Sequence, residues 1–332
     1  MALQAQYPVF GRRTGGFDVR AKWFTPLYDE IRRRIPTKLI RLWYVPVSRA
    51  THPLYRVQMQ LLESPQAVTH ITTNMHSFLL RRRSRSPTVI TCYDIGLRWT
   101  VERLHLADRV IACARHVKEE LDKATRLPHD PEVVHLAAHP SYQPADVPRK
   151  PTQILFVGTE QPRKNVEGLF RIFARVLREV PAILVKVGTA SSNRPRLLAL
   201  AKELHIDDQI VWRDFVPEEE LLHLYRTSSL AVVPSFLEGF SMPCLEAMST
   251  GCPLVASNLS AIPEVVGSGG ILLDPLDEGA WSQAILRILK DPSVAHELSR
   301  RGVERSHAFS AEASAGQILR IYEEVWADRG GG

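Results

Sequence analysis

The sequence predicts an α/β fold of two Rossmann-like, doubly wound domains that face a central cleft. The chain has 332 residues, about the length of two domains of ordinary size. Short β-rich apolar runs alternate with helical patterns along most of it, which is typical of βαβ units and parallel sheets. The stretch from Pro140 to Pro151 interrupts this alternation, which then starts again. Sheets of this kind bind ligands at the carboxyl ends of their strands.

Residues 1–140 are predicted to form the N-terminal domain, with strands at 37–45, 67–72, 88–94, 109–114 and 132–137. Its first predicted helix, residues 20–34, ends in three arginines and carries an apolar stripe at helical spacing, made of Trp23, Phe24, Leu27, Tyr28 and Ile31. Two interpretations of this stripe stay open. It faces the core, or it rests on an anionic membrane together with the basic run at residues 81–85.

Residues 141–151 are predicted to be a linker, because the stretch from Pro140 to Pro151 holds four prolines and no periodic pattern. The C-terminal domain is predicted to span residues 152–310, with strands at 153–158, 182–188, 209–215, 230–235, 253–257 and 270–274. After Asp274 the pattern is helical, and a final helix is expected to follow the N-cap Ser310. Residues 311–332 are expected to cross back to the N-terminal domain.

The composition is that of an ordinary globular protein, with 45% hydrophobic and 23% charged residues and a net charge of +6. Its cysteines form no C-x-x-C pair, so we expect reduced, buried thiols. No apolar run reaches the roughly 18 residues of a membrane span, and no secretory signal is recognised. We therefore expect a cytoplasmic protein, with peripheral contact at the inner membrane face as an open alternative because of the basic first third.

Two glutamates, Glu238 and Glu246, flank a loop and a helix start in the segment PSFLEGFSMPCLEAMSTGCPLV, residues 234–255. The apolar run before Glu238 predicts a buried strand, and the helix is expected to begin at Pro243 and to end at Gly251. The loop therefore leads into a helix N-terminus, whose N–H groups and dipole favour a phosphate. Glu246 lies about one turn into the helix, where a carboxylate suits the vicinal hydroxyls of a ribose.

This segment, extended to Gly267, resembles the E-x7-E segment of glycosyltransferase family 4, the retaining nucleotide-sugar glycosyltransferases with the GT-B fold. The segment FVGTEQPRKNVEGLF, residues 156–170, is similar to the strand and basic loop of the same family. Together the two motifs and the α/β pattern cover most of residues 151–290. The resemblance implies a donor-binding C-terminal domain and an acceptor-binding N-terminal domain.

The resemblance also implies roles for individual residues. Arg163 and Lys164 would hold the donor diphosphate and Glu238 would contact sugar hydroxyls, so these are the candidate catalytic residues. Glu246 would hold the ribose. Fixed cations and helix N–H groups aimed at the leaving phosphate would lower the barrier to its departure. The other donor-binding residues would be Gly15, Gly16, Thr159, Gly188, Phe215, Val216 and, through backbone amides, Gly239, Phe240, Ser241 and Met242.

The sequence departs from the family pattern at two places. Thr159 stands where many members carry an arginine, so Arg163 would supply that charge. Tyr93 precedes Asp94 where many members have a His-Asp pair. A tyrosine can form hydrogen bonds but does not titrate near neutrality, so we expect Tyr93 and Asp94 to contact sugar or acceptor without a pH-tuned proton transfer. The Gly15-Gly16 loop fits either close approach to a phosphate or an ordinary turn.

The implied function is the retaining transfer of a hexose from a nucleoside-diphosphate sugar to a hydroxyl of a glycan, lipid-linked or small-molecule acceptor, by front-face substitution. The sequence GTEQPRKN is similar to mannosyl- and rhamnosyl-transferring relatives and points to GDP-mannose, while UDP-sugars stay equally open. No metal, no cofactor and no nucleic acid is expected. Two alternatives remain, a nucleotide-sugar epimerase or hydrolase of the same fold, and a non-catalytic binding protein.

Overall fold

The computed structural model describes residues 3–10, 21–42, 52–82, 84–95 and 100–330. These residues divide into two compact units. The first unit contains the residues up to His139 together with those from Phe309 onwards, and the second unit is Pro140–Ala308. Within the described ranges, no helix combines the length and the apolar character needed to cross a membrane.

The first unit is built on a parallel sheet with the strand order β2-β1-β3-β4-β5-β6 among the described residues. The strands are β1 (Ala5–Phe10), β2 (Thr37–Leu42), β3 (Val68–Ile71), β4 (Thr88–Cys92), β5 (Arg109–Ala112) and β6 (Glu132–Val133). The helices between them are α1 (Ala21–Arg34), α2 (His52–Leu62) and α3 (Arg115–Ala124). Sequence analysis missed β1, because proline is rare inside a paired strand. Its Pro8 is tolerated since β3 pairs only with Ala5 and Gln6.

The second unit holds another parallel sheet, with the order β12-β11-β10-β7-β8-β9. Its strands are β7 (Lys150–Val157), β8 (Ile183–Val187), β9 (Ile210–Arg213), β10 (Ser228–Val233), β11 (Leu254–Ser257) and β12 (Ile271–Leu273). Its helices are α4 (Val166–Leu177), α5 (Arg194–Glu203), α6 (Glu218–Thr227), α7 (Met242–Ser249), α8 (Ile262–Val266), α9 (Glu278–Lys290) and α10 (Pro292–Ser306). The predicted doubly wound fold is confirmed, and the strand order reverses between β7 and β10, the place where such sheets bind ligands.

The segment predicted to be a linker, residues 141–151, lies in the second unit. Arg149 fastens it there, since its guanidinium donates to the carbonyls of Ser228 at 2.8 Å and Gly251 at 2.6 Å. Arg226 donates to the carbonyl of Ser141 at 2.9 Å. Arg149 thus joins the stretch to carbonyls of two other parts of the second unit, and the bond from Arg226 satisfies a carbonyl within the stretch itself, so the segment is held against the sheet that it precedes.

The C-terminal helix α11 (Ala311–Asp328) completes the first unit. It begins after Ser310, whose hydroxyl accepts from the amide of Ala313 at 3.4 Å, as expected for an N-cap. The core of this unit joins one face of α1 to one face of α11, through Phe24, Leu27, Ile31, Ala315, Ile318, Ile321 and Val325. The predicted stripe of α1 therefore faces the core, and these residues are not available to a membrane. The side chain of Trp23 lies outside the described set.

A buried histidine connects α11 to the sheet. The two ring nitrogens of His70 in β3 lie 2.6 Å from the hydroxyl of Tyr322 and 2.8 Å from that of Thr91. The Tyr322 hydroxyl also lies 3.0 Å from that of Tyr7. Burial lowers the pKa of His70 to about 3, so the ring is neutral at ordinary pH and uses one nitrogen as donor and the other as acceptor.

Candidate active site

Two loops meet at the carboxyl edge of the second sheet, where β7 and β10 lie side by side. Leu230 and Ala231 of β10 pair in parallel with Ile154 and Leu155 of β7, so the loops that follow both strands emerge together. The amide of Phe236 donates to the carbonyl of Arg163 at 2.8 Å. This bond joins residues 159–165 to residues 234–241, two stretches that the sequence separates by about seventy positions.

An ion pair lies in the middle of these loops. Lys164 Nζ donates to Glu238 Oε1 at 2.7 Å, and both residues are buried, with 8% and 5% of their surface exposed. The Ser235 hydroxyl donates to the same carboxylate oxygen at 2.8 Å. Arg163 Nη1 is 3.5 Å from the other oxygen, Oε2, and donates to the carbonyl of Leu237. The structure thus brings the three candidate catalytic residues into one cluster.

The sequence P-R-K-N explains why Lys164 takes this position. Pro162–Lys164 forms a single 3-10 turn, and Asn165 ends it in the left-handed region at a φ of 52°, which asparagine tolerates. The Asn165 side chain then caps α4 by accepting from the amide of Gly168 at 3.2 Å. A β-carbon at Gly168 would lie 2.4 Å from that side-chain oxygen. The turn and cap together fix the stem of Lys164.

The start of α7 lies beside this cluster. The helix begins at Met242, one residue before the predicted start, and Ser241 is its N-cap residue with a φ of 75°. The helix ends as predicted, since Gly251 follows it with a φ of 71°. Met242 carries the first amide of α7, while the amides of Cys244 and Leu245 donate to the carbonyl of Ser241 at 3.0 and 3.4 Å. This terminus carries the positive end of the helix dipole. Gly239 and Phe240 complete the loop between Glu238 and this terminus.

Glu246 is buried one turn inside α7 and accepts a hydrogen bond from the hydroxyl of Tyr225 at 3.0 Å. Burial, together with the charge of Glu246, raises the pKa of Tyr225 well above its ordinary value, so the hydroxyl stays a donor. Tyr142 lies edge-on to Tyr225 with ring centroids 6.1 Å apart, and its hydroxyl donates to Glu218. Sequence analysis missed Tyr225, because it lies in the apolar stripe of α6 and resembles any core residue there.

The remaining predicted donor-binding residues of this unit lie at the ends of β7, β8 and β9. Gly188 donates from its amide to the carbonyl of Arg213 at 2.8 Å and has a φ of 134°. A β-carbon there would come within 2.2 Å of the Gly158 carbonyl oxygen, so only glycine fits. Thr159, Phe215 and Val216 follow the neighbouring strand ends, with Phe215 exposed and Val216 buried.

A buried charge network holds these strand ends together, and sequence analysis missed it. Glu160 accepts from Lys186 at 2.8 Å, from Arg194 Nε at 2.6 Å and from the amide of Ser191 at 2.9 Å. Arg194 also reaches Asp214, which follows β9. Burial raises the pKa of Glu160, but these hydrogen bonds outweigh it and hold the pKa below its ordinary value. The signal that could have pointed to it is Lys186 itself, a charged residue inside an apolar run that predicts a buried strand.

The structure says less about the roles of the candidate residues in the first unit. Tyr93 is buried after β4, and burial raises the pKa of its hydroxyl far above the ordinary value. Asp94 is exposed and accepts through its carbonyl from Asn74 at 2.5 Å. Sugar contact by these two residues therefore stays a prediction. Gly15 and Gly16 lie outside the described residues. Among the described residues, no group of three His, Cys, Asp or Glu side chains could hold a metal ion.

Comparison with known proteins gives the family of the chain. A family model described as glycosyl transferases group 1 matches residues 142–305. The O-antigen chain mannosyltransferase B of Escherichia coli is 31% identical over 279 residues, which cover 74% of this chain and 72% of that protein. A D-inositol 3-phosphate glycosyltransferase of Corynebacterium efficiens is 32% identical over 187 residues, 54% of this chain and 44% of the relative. The chain thus spans less than half of that second protein.

Solved structures with low sequence identity share the fold. Sucrose-phosphate synthase from Thermosynechococcus elongatus superposes with a TM-score of 0.82 at 20% identity, over 99% of this chain and all (100%) of that one. Anabaena HepE in complex with UDP and glucose gives a TM-score of 0.77 at 16% identity, over 97% of this chain and 99% of that one. Both neighbours match along nearly the whole chain, so the two-domain GT-B fold class predicted from the sequence is confirmed.

Proposed function

This chain belongs to the glycosyl transferases group 1 family, and we propose that it moves a hexose, with mannose as first candidate, from a nucleoside-diphosphate sugar to an acceptor hydroxyl with retention of anomeric configuration. The observation that carries the proposal is the buried Lys164–Glu238 pair beside the start of α7, with Glu246 one turn further. The relatives named as an O-antigen chain mannosyltransferase and an α-(1→4)-mannosyltransferase favour mannose. The neighbour that binds UDP and glucose keeps uridine donors open.

In this proposal the cluster stabilises the leaving diphosphate. The bond between the anomeric carbon and the phosphate oxygen breaks, and negative charge collects on the phosphate. Lys164, Arg163 and the first amides of α7 are fixed before the donor arrives, so they need little reorganisation when that charge develops. The two side-chain cations and the helix dipole supply the charge that a metal ion provides in other diphosphate sites. We therefore expect transfer to continue in the presence of a chelator.

The two glutamates would bind different parts of the donor. Glu238 Oε1 is engaged by Lys164 and Ser235, while Arg163 Nη1 lies 3.5 Å from Oε2. Oε2 thus keeps lone pairs that can accept from hydroxyls of the transferred sugar. Glu246, held in place by Tyr225, would accept from the ribose.

Front-face substitution suits these positions better than a covalent intermediate. A carboxylate held by an ammonium and a hydroxyl, with a second cation close by, is a poor nucleophile, which argues against attack by Glu238 on the anomeric carbon. In the front-face reaction the acceptor oxygen bonds to that carbon on the face that the phosphate leaves. The acceptor proton passes to an oxygen of the departing phosphate, which acts as the base. The acceptor would be a glycan, a lipid-linked glycan or a small hydroxyl compound.

A product assay with radiolabelled sugar nucleotides tests the proposal. The purified chain is screened by thermal shift against GDP-, UDP- and dTDP-sugars, since a donor at 100 times its dissociation constant adds about 2.7 kcal/mol to stability. The donor that binds is then incubated with and without candidate acceptors, and the anomeric configuration of the product is read by NMR. Transfer requires an acceptor and retains the configuration. Conversion of the donor to another sugar nucleotide, or its hydrolysis at full rate without acceptor, would replace the transferase by an epimerase or a hydrolase.

A further inference from the structure

Helix α2 has an apolar face that is exposed in the described part of the first unit. Its inner face packs through Tyr55 and Met59, with Tyr55 5.8 Å from Phe78 between ring centroids. On the other side Leu54 and Val57 are each 54% exposed and Leu61 is 75% exposed. These positions are spaced i, i+3 and i+7, so they form one continuous stripe along the helix. A stripe of large aliphatic side chains differs from the single exposed apolar residues that any surface shows.

The surroundings of this stripe are strongly basic. From His52 to Tyr93 the sequence contains one carboxylate, Glu63, and this residue is buried, where it accepts from Arg81. Arg85 lies along the same helix, because its guanidinium donates to the carbonyl of Gln60 at 3.5 Å. Arg82, three positions earlier in the sequence, is exposed. The positive charge is therefore held next to the apolar stripe and has almost no acidic residue nearby in sequence to balance it.

We propose that α2 and the adjacent arginines form a docking surface for an anionic lipid bilayer. In this arrangement Leu54, Val57 and Leu61 enter the boundary between headgroups and acyl chains, and Arg82 and Arg85 bind lipid phosphates. An amphipathic helix with aliphatic side chains on one face and basic side chains beside them has the composition of an interfacial helix. The α1 stripe cannot serve this purpose, since it is buried against α11.

Two other occupants fit this surface less well. A second copy of the chain in a symmetric dimer would bring the same arginines of both copies close together, which is unfavourable. A nucleic acid would use the arginines but would gain little from exposed leucine and valine, because bases stack on aromatic side chains. The lipid surface is the occupant that uses both the aliphatic and the basic residues. The inference rests on the proposed function only in that membrane binding would bring the enzyme to a lipid-linked acceptor.

Vesicle co-sedimentation of the full chain tests the docking surface, with no donor or acceptor present. We expect the protein to pellet with vesicles that contain phosphatidylglycerol, to stay in the supernatant with pure phosphatidylcholine, and to be released as salt rises. Leu61→Ser should weaken binding by at least about fivefold, because the change removes a leucine side chain that enters the bilayer. Leu276→Ser is the matched control, since Leu276 is also 75% exposed but lies in the second unit. It should bind like the wild type.

The arginines are tested with a second pair of variants. Arg82→Ser combined with Arg85→Ser should weaken binding to phosphatidylglycerol and flatten its salt dependence, whereas Arg178→Ser, an exposed arginine of the second unit, should not. Thermal unfolding of each variant verifies that the chain is folded. The proposal is overturned if the wild type ignores both vesicles, if Leu61→Ser binds as well as Leu276→Ser, or if sedimentation shows a dimer that Leu61→Ser dissociates. Transfer to a water-soluble acceptor, measured separately, is independent of these results.

Discussion

Replacing Lys164 by methionine should destabilise the second unit strongly, because the change leaves the carboxylate of Glu238 buried with its main partner removed. The two charged groups lie 2.7 Å apart. At an effective dielectric constant of about 20, their attraction is about 6 kcal/mol, which offsets the cost of removing both from water. Breaking such a pair costs about 3–5 kcal/mol in the free energy of unfolding. Glu238→Gln should then lower the free energy of unfolding much less in the Lys164→Met variant than in the wild type.

A double-mutant cycle measured by equilibrium urea unfolding tests this reasoning. We expect a coupling free energy of at least about 2 kcal/mol between Lys164→Met and Glu238→Gln. The matched control is the pair Lys290–Glu179, which has a similar distance of 2.8 Å but side chains 50% and 55% exposed, and its coupling should be close to zero. In parallel, Lys164→Met should lower kcat by at least about 100-fold. If the two unfolding effects add within about 0.5 kcal/mol, the buried pair is not a coupled unit and the argument is refuted.

Three further perturbations test other parts of the fold and the site. Glu246→Ala should raise the donor Kd, measured by isothermal titration calorimetry, by about 10- to 100-fold with a smaller change in kcat, and Tyr225→Phe should raise the Kd less. An unchanged Kd in Glu246→Ala would contradict the ribose contact. Gly188→Ala should lower the free energy of unfolding by about 2–5 kcal/mol, since the φ of 134° and the close carbonyl exclude a side chain. As a control, Gly279→Ala should be neutral or stabilising, because the atom nearest to the added β-carbon would lie 3.4 Å away. The pKa of His70 is about 3 in the folded chain and 6.5 in the unfolded chain, so the unfolded chain binds more protons between these values and stability is lost as pH falls through this window. The melting temperature of His70→Gln should therefore depend less on pH in this window than that of the wild type. An identical pH profile for the two proteins would contradict the buried neutral ring.

The second unit could be predicted closely from the sequence because its central strands, β7, β10 and β11, are largely buried on both faces. Such strands appear as uninterrupted apolar runs, and the runs at 153–158 and 253–257 lie within a few residues of β7 and β11. Strand β1 was not predicted because Pro8 is unusual in a paired strand. Periodicity also identified the buried stripe of α1 without showing which partner covers it. The partner is α11, almost three hundred residues later in the sequence.

The candidate site was only partly accessible from the sequence. Lys164 and Glu238 were selected one at a time, by their resemblance to family motifs, and the contact between them depends on the strand order of the sheet. The network around Glu160 and Lys186 was missed for a physical reason. Hydrophobic periodicity indicates which positions are buried, but it cannot show which two buried charges share a hydrogen bond across neighbouring strands.

The return of the chain into the first unit has a consequence for its biosynthesis. The second unit is one uninterrupted stretch, whereas the first unit needs α11, which supplies the Tyr322 hydroxyl at His70 and part of the core. A ribosome therefore releases every residue of the second unit before the first unit has its last helix. We expect the second unit to fold while the nascent chain is still attached, and the first unit to wait until α11 has left the ribosome. A gene fragment that stops at His139 should yield an aggregating product, while one that encodes Pro140–Ala308 should yield a folded domain.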